Sequence, residues 1–570
     1  MFEKVKKFIP LLLVLLLSYW TVKPLFIAGY FPMHDDTQPA RVFALAQELE
    51  KGIFPVRLVD YLGYGYGYPL FNFYAPLPYY LGALFYLGGF DLIFATKLMF
   101  VTGSLLSGVF MFLLGNYLAG PEAGLLSALF YLYAPYHAVN IYVRGAVGEY
   151  YAYAFLPLIG LGLYRLYNSP KKLPDFKTVI PGILGLTGVL LSHNILGLIT
   201  VYLLAVFIVI TLTLYIFKKI SSDKLLNLTV MILFAVSLSL FFTLPAFAEK
   251  KYTNVNSLTS GGSYYLDHFV SLSQLWDSPW GFAGSTKGLA DGFSFKIGKL
   301  HLISALLSLI GLIYLYRINK LNRSKLYAFS TVILLGLFSI YMMLPSSAPI
   351  YQYLPYLTFI QYPWRFLNLT VFSLSLSPVT FIFIKNNSLK IAITVFLASL
   401  VMLVNSKYFN PQTIKPLTGK EYLNPINLRF TISKISDEYL PPDLKLPEEL
   451  SAVPREVFED AQNQQIEVLR NETTEKLFRL ILVEKSAIRT NIAYFPGWQA
   501  DLNGKKINLS LKNGRIILNL PSGIHILKLT FKDTPIRTVS NGISFFSFIL
   551  LVYLTLNYAI SIWLKNFRSK

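Results

Sequence analysis

Long apolar runs, separated by short polar connections, fill the first two thirds of the chain. Each run is close to the roughly 20 residues needed to cross a bilayer. Twelve spans are predicted, at 8–30, 93–117, 124–141, 150–168, 178–194, 196–217, 225–247, 299–316, 326–344, 367–385, 390–405 and 541–564. The first follows Lys4, Lys6 and Lys7. It is too long for a signal-peptide core and precedes no small-x-small cleavage site, so it reads as an uncleaved anchor. The segment 76–92 (PLPYYLGALFYLGGFDL) is apolar but short, and is expected to lie in the membrane interface. After residue 465 the period changes to alternation. The runs IEVLRNE, KLFRLILVEK, IRTNIAYF, KKINLSL, RIILNL and HILKLTF read as strands. Asn503-Gly504 and Asn513-Gly514 are hairpin dipeptides, Pro521-Ser522-Gly523 marks a further turn, and the set predicts a small antiparallel sandwich.

Charge orients the spans. With the N-terminus in the cytoplasm, the inner connections hold Pro121-Glu122, then Lys171, Lys172 and Lys177, then Lys218, Lys219 and Lys224, then Arg317, Lys320, Arg323 and Lys325, then Lys385 and Lys390, and finally Lys565, Arg568 and Lys570. All but the first are basic, as the positive-inside rule requires. The outer side then carries a long first loop (31–92), loops 248–298 and 345–366, and the mainly β segment 406–538. The expected architecture is an α-helical polytopic membrane domain (1–405), an outer C-terminal β-sandwich domain (406–538), and a last helix with a basic tail (539–570).

Composition agrees. Of 570 residues 54% are hydrophobic, 16% aromatic and only 14% charged, against about 25% charged in soluble domains. The net charge of +20 is accounted for by membrane-facing loops rather than by nucleic acid. With no cysteine, a disulfide scaffold, a thiol nucleophile, a zinc–thiolate site and an iron–sulfur cluster are excluded. No phosphate-cradling Gly-Lys loop, G-x-S-x-G elbow, H-E-x-x-H or dinucleotide fingerprint is present.

The spans have apolar middles, which argues against ion-coupled transport. Unusual polar residues gather at outer helix ends instead. His34-Asp35-Asp36 follows the first span; adjacent carboxylates suit a general base or ligands for a hard cation, and Asp36 equally suits the N-cap of the amphipathic stretch that follows. Arg144 and Glu149 lie between spans three and four, either as an anion-binding pair or as snorkelling side chains. Lys97, one turn inside span two, calls for an anionic partner such as Asp91 or a lipid phosphate. In QYPWRF (361–366), Trp364 suits the interfacial belt and Arg365 adds an outer cation. Tyr64, Tyr66 and Tyr68 alternate with glycine, a pattern read as a pliable aromatic loop for sugars or an isoprenoid chain, or as belt residues. His193-Asn194 and Glu249-Lys250-Lys251 read as caps or interface residues. Trp276, Asp277 and Trp280 are candidate groove residues.

An acidic pair after span one, a long first outer loop, the Pro76-Leu77-Pro78-Tyr79-Tyr80 segment and a basic residue at the head of span two resemble the GT-C superfamily, multispanning glycosyltransferases that use polyprenyl-phosphate-linked sugars. That resemblance implies a catalytic or metal-binding role for Asp35 and Asp36. It implies phosphate contact for Lys97, where many members carry arginine. The HDD opening, the YGYGYPLFNFYAPLPYYLG stretch and QYPWRF further resemble bacterial 6-pyruvoyl-tetrahydropterin synthase-related membrane proteins, although no histidine cluster of a pterin enzyme is present. The region AYFPGW…NGK…LPSGIHILKLTF is similar to the outer sandwich of lipoteichoic-acid-glycosylating membrane proteins. The sandwich reads either as a sugar-binding module or as a spacer.

The expected function is sugar transfer from a polyprenyl-phosphate donor to a glycan, lipid or protein acceptor at the outer face of a bacterial cytoplasmic membrane, both termini being cytoplasmic. Asp35, Asp36 and Glu149 are the catalytic candidates. His34, Lys97, Arg144, Tyr64, Tyr66, Tyr68, Trp364 and Arg365 are the substrate-binding candidates. A divalent cation, if one takes part, belongs on Asp35 and Asp36; the bilayer is a partner and nucleic acid is not. The competing reading is a non-catalytic membrane subunit for surface polysaccharide binding or export.

Overall fold

The computed structural model describes residues 9–169, 176–318, 323–383, 386–459 and 464–568. Lys4, Lys6, Lys7, Lys171, Lys172, Lys320, Lys385 and Lys570 lie outside the described residues. Contacts divide the chain into two compact units. One comprises Met1–Asp35, Thr96–Ser237 and Leu258–Pro416; the other comprises Asp36–Ala95, Leu238–Ser257 and Leu417–Lys570.

Among the described residues eight helices are long and apolar enough to cross a membrane: Ile9–Phe26, Leu92–Ala119, Asn194–Ile216, Ser222–Tyr252, Lys299–Arg317, Ser324–Met343, Asn387–Tyr408 and Pro535–Asn557. The other four predicted spans are helical but depart from that form. The 124–141 stretch breaks into Pro121–Leu132, Pro135–Ala138 and a π-helical turn, Val139–Val143. Helix Val147–Asn168 is rich in tyrosine and contains Pro157. Phe176–Ser192 is short, and Leu367–Ser375 passes into the 3-10 segment Ser377–Phe383. They are among the more buried helices of the first unit, and every residue of Leu367–Ser375 is buried. A helix walled by protein has no lipid to match, so its sequence is free to carry polar groups and breaks. Glycine sets the closest approach: a Cβ on Gly162 would overlap the backbone of Gly182 on the neighbouring helix. Small residues serve this purpose where lipid removes the hydrophobic drive between helices.

Connections assigned to one side of the membrane meet one another. Glu122 pairs with Lys390 at 3.2 Å, Lys224 donates to the Ser169 carbonyl, and Ser324 donates to Asn168. The short segment 76–92 contributes an 11-residue helix, Leu77–Leu87, too short to cross.

In the second unit the strands are β1 (Gln464–Asn471), β2 (Glu475–Leu482), β3 (Ser486–Ala493), β4 (Trp498–Leu502), β5 (Lys505–Ile507), β6 (Ser510–Lys512), β7 (Arg515–Leu520) and β8 (Gly523–Phe531). They form an antiparallel sheet β1-β2-β8-β4-β5 and a second sheet β3-β7-β6. The expected β region is narrower than 406–538: between 406 and 459 the described residues make short helical turns and single bridges only. Asn503-Gly504 joins β4 to β5 and Asn513-Gly514 joins β6 to β7. All four residues have positive φ, as a type I′ turn demands. Alternating Phe478, Leu480 and Leu482 of β2 meet Leu527 and Leu529 of β8 and Ile516, Leu518 and Leu520 of β7 in one core.

Candidate functional site

The first unit brings three distant segments onto one carboxylate. The helix containing Tyr136 ends in the π-turn Val139–Val143, a feature often found at functional sites, and the turn delivers Arg144 at its C-cap. Gly145 follows at φ 63°, and a Cβ there would overlap the Met33 side chain. The bare backbone lets the 33–35 segment lie on this turn: His34 N donates to the Val143 carbonyl (3.1 Å) and Asp35 N to the Arg144 carbonyl (2.9 Å). Glu149 sits in the first turn of Val147–Asn168, where a helix favours an acid. Arg365 comes from the 3-10 turn Pro363–Phe366 that opens helix Leu367–Ser375.

Glu149 is 1% exposed, Arg144 7% and Arg365 8%. Arg144 Nη1 donates to Glu149 Oε2 at 2.9 Å, and Arg365 Nε lies 3.4 Å from the same oxygen. Tyr136 Oη (2.5 Å) and Asn368 Nδ2 (2.7 Å) donate to Oε1. Arg144 also donates to Asn140 Oδ1 (2.7 Å) and Tyr136 Oη (3.2 Å), while Arg365 donates to the Ile360 carbonyl and Gln361 Oε1. Burial opposes the charge of Arg144, but Glu149, Tyr136 and Asp35 outweigh it and hold the guanidinium above the ordinary arginine range. Two guanidiniums share one fully engaged carboxylate. The cluster therefore carries surplus positive charge, faced at its half-buried rim by Asp35.

Aromatic residues close it. The Arg144 guanidinium lies 4.6 Å from the Trp364 ring centroid and that of Arg365 lies 5.0 Å from Tyr362; Tyr362 and Trp364 stack at 4.9 Å. Trp364 Nε1 donates to Ser285 Oγ (3.2 Å), which bonds His268 Nδ1 (2.9 Å). Burial lowers the His268 pKa, and Arg365 adds to the effect. His34 Nε2 bonds the Phe282 carbonyl (3.0 Å) and its ring packs on Phe293, which meets Trp364 edge-on. Of the predicted residues, His34, Asp35, Arg144, Glu149, Trp364 and Arg365 thus share one neighbourhood. Tyr136, Asn140, Asn368 and Gly145 were not anticipated. The usable signal was that two arginines at helix ends inside a protein require a buried acid and its supporting donors.

Other candidates take different places. Lys97 is buried and donates to the carbonyls of Ile27 (2.7 Å) and Gly29, so main-chain oxygens hold the ammonium where an anion was expected. Asp36 belongs to the second unit, where its backbone carbonyl accepts from Tyr422 Oη (3.1 Å). The helix cap expected at Asp36 falls one residue later, at Thr37. Tyr64, Tyr66 and Tyr68 are buried rather than displayed on a pliable loop. Tyr64 Oη donates to Asp437 (3.0 Å), Tyr68 packs on Tyr439, and Gly63 at φ 64° leaves room for the Tyr68 ring. Glycine here locks a compact turn, and the aromatic faces are spent on packing. His193 caps helix Asn194–Ile216 as expected. Among the described residues no three His, Asp or Glu side chains group to hold a metal ion.

No family model and no curated protein matches the chain. Among solved structures it is similar to ArnT from Cupriavidus metallidurans bound to undecaprenyl phosphate, with 11% identity over 70% of this chain and 88% of that one, at a TM-score of 0.30. A likeness at that level fixes neither activity nor site. The class the structure itself defines is a multi-pass helical membrane protein with an antiparallel sheet domain before its final helix.

Proposed function

We propose that the protein transfers a sugar from a polyprenyl-phosphate donor to an acceptor hydroxyl on a glycan, lipid or protein, at the outer face of a bacterial cytoplasmic membrane. One observation carries the reading: a buried, aromatic-lined pair of guanidiniums, under-neutralised by Glu149, sits against the half-buried Asp35. A phosphate is the anion such a pair suits, because guanidinium clasps it with two parallel donors.

In this mechanism Asp35, with Asp36 beside it in sequence, accepts the acceptor's hydroxyl proton. The acceptor oxygen forms a bond to the anomeric carbon as the bond from that carbon to the phosphate oxygen breaks. Single displacement inverts the centre. Polyprenyl phosphate leaves with the bonding pair, and Arg144 and Arg365 stabilise its developing charge. Glu149 has both oxygens occupied and is a positioning residue that holds the two arginines, rather than a base. Trp364 and His34 wall the site. Kinship with the 6-pyruvoyl-tetrahydropterin synthase-related membrane proteins rests on the HDD, YGYGYPLFNFYAPLPYYLG and QYPWRF motifs, and the cytoplasmic placement of both termini on the basic connections.

The test is incubation of purified protein with polyprenyl-phosphate sugars and mass spectrometry of the lipid and glycan products. Release of polyprenyl phosphate with a glycosylated acceptor is expected from wild type and not from Asp35→Asn. Binding of donor without turnover would instead support the non-catalytic polysaccharide subunit, a reading favoured by the complete engagement of Glu149.

A further inference from the structure

We infer that the open edge of the β-sandwich is a binding cleft for an acidic saccharide. Five strands face three, so the larger sheet is not fully covered. Its edge strand β5 and the edge strand β6 of the smaller sheet are joined by Asn508-Leu509, and beside them lies a cleft of about 390 Å³. That volume falls within the roughly 300–1,000 Å³ of small-ligand sites.

The lining mixes two chemistries. Tyr494 supplies aromatic surface, with only an edge of the buried Trp498 behind it, and Leu511, 53% exposed, an apolar wall; Gln499, Lys506 and Asn508 supply amides and an ammonium. A pyranose presents apolar C–H faces and a rim of hydroxyls, and matches aromatic surface edged by hydrogen-bonding groups. A protein partner would call for a continuous apolar patch, which the interleaved polar groups prevent.

A second observation points the same way. Trp498 is 6% exposed in a core that also holds Phe478, with Phe531 packed on its ring, and its Nε1 is buried with no hydrogen-bond partner. Buried donors are nearly always paired. Charge narrows the ligand: Lys506 contributes a cation and no carboxylate lines the cleft among the described residues. Uronic acids fit this, their carboxylate adding to that of Asp501, which lies across from Lys506 in register on β4. All these residues lie in the second unit, so the cleft stands apart from the transfer reading.

The experiment uses the full chain in lipid nanodiscs, titrated with tetragalacturonate, maltotetraose and chitotetraose by calorimetry. Tetragalacturonate is expected to bind tightest. Lys506→Ala, on an exposed hairpin, should weaken that binding about tenfold and Asn508→Ala about threefold, with unchanged thermal midpoints. Trp498→Phe, which keeps an aromatic ring and removes the N–H, should weaken binding severalfold. Asp35→Asn, which the transfer reading makes inactive, should bind as wild type does. Failure of all three sugars to bind, equal binding of neutral and acidic tetramers, or unchanged binding in both surface variants would overturn the assignment.

Discussion

Each unit buries a glutamate between arginines, and the two clusters differ in their charge balance. In the second unit Glu249 accepts from Arg537 Nε (3.0 Å), from Asn72 (2.9 Å) and from Thr534 (2.8 Å), and Arg537 Nη2 lies 2.9 Å from it as an ion pair. Arg57 pairs with Asp533 at 3.3 Å and is held by Asn72, Asn541 and the Phe241 carbonyl. Two cations meet two carboxylates, and the fully buried Arg537 lies against the rings of Phe495 and Phe531. Around Glu149 two cations contact one carboxylate, and the second acid, Asp35, faces Arg144 from the half-buried rim with no direct ion pair among the described residues. A balanced buried network fastens elements together; an unbalanced one keeps a charge available for a ligand. That contrast separates scaffold from site more sharply than burial does, since both clusters are buried.

The largest expected effect tests the rim of the unbalanced cluster. Asp35→Asn should lower sugar transfer by about 10²–10⁴-fold, the usual worth of a general base, with no change in thermal midpoint. Equal loss of stability would show that Asp35 belongs to the scaffold. Glu249→Ala should destabilise by about 3–5 kcal/mol, because it strands a buried guanidinium; denaturant melts would show this, while protein that remains folded keeps its affinity for polyprenyl phosphate. If affinity is lost as well, the balanced cluster is not merely structural. Arg365→Lys should leave stability nearly intact and weaken polyprenyl-phosphate binding about tenfold, or ~1.4 kcal/mol. Gly145→Ala should cost about 1–2 kcal/mol through its positive φ, and should weaken donor binding by shifting the 33–35 segment.

The smallest effect concerns pH. Burial depresses the folded pKa of His268, so its contribution is present above the unfolded value near 6.5 and fades as pH falls through the folded value. Hydrogen exchange of the loop around Ser285 should therefore speed up on mild acidification, and His268→Asn should flatten the response.

The membrane architecture was largely legible because lipid-facing helices must be apolar along their length, and helices such as Asn194–Ile216 announce themselves. The helices that build the site were predicted as spans too, but their breaks and tyrosine-rich packing were not, since protein rather than lipid walls them. Arg144 and Arg365 stood out as cations at unexpected helix ends, yet Tyr136, Asn140 and Asn368 look like ordinary residues until a carboxylate is seen to need them. Lys97 donates to carbonyls freed at the end of the first helix, which no pattern in the sequence reveals. The tyrosine–glycine loop misled for a related reason. Glycine at positive φ serves a fixed turn as readily as a mobile one, and only packing distinguishes them. Likewise Arg57 and Arg537 drew no notice, being separated by hundreds of residues from each other.

The π-turn at Val139–Val143 places Arg144 by counting. Such a turn holds one residue more than a regular helix, so deleting a single residue from it would restore α-helical register and swing the next side chain by about 100° around the axis. Arg144 would then face away from Glu149 while composition, hydropathy and span length stayed almost the same. Two chains of this architecture could look alike by every bulk measure and differ by one residue in whether their cation reaches its partner.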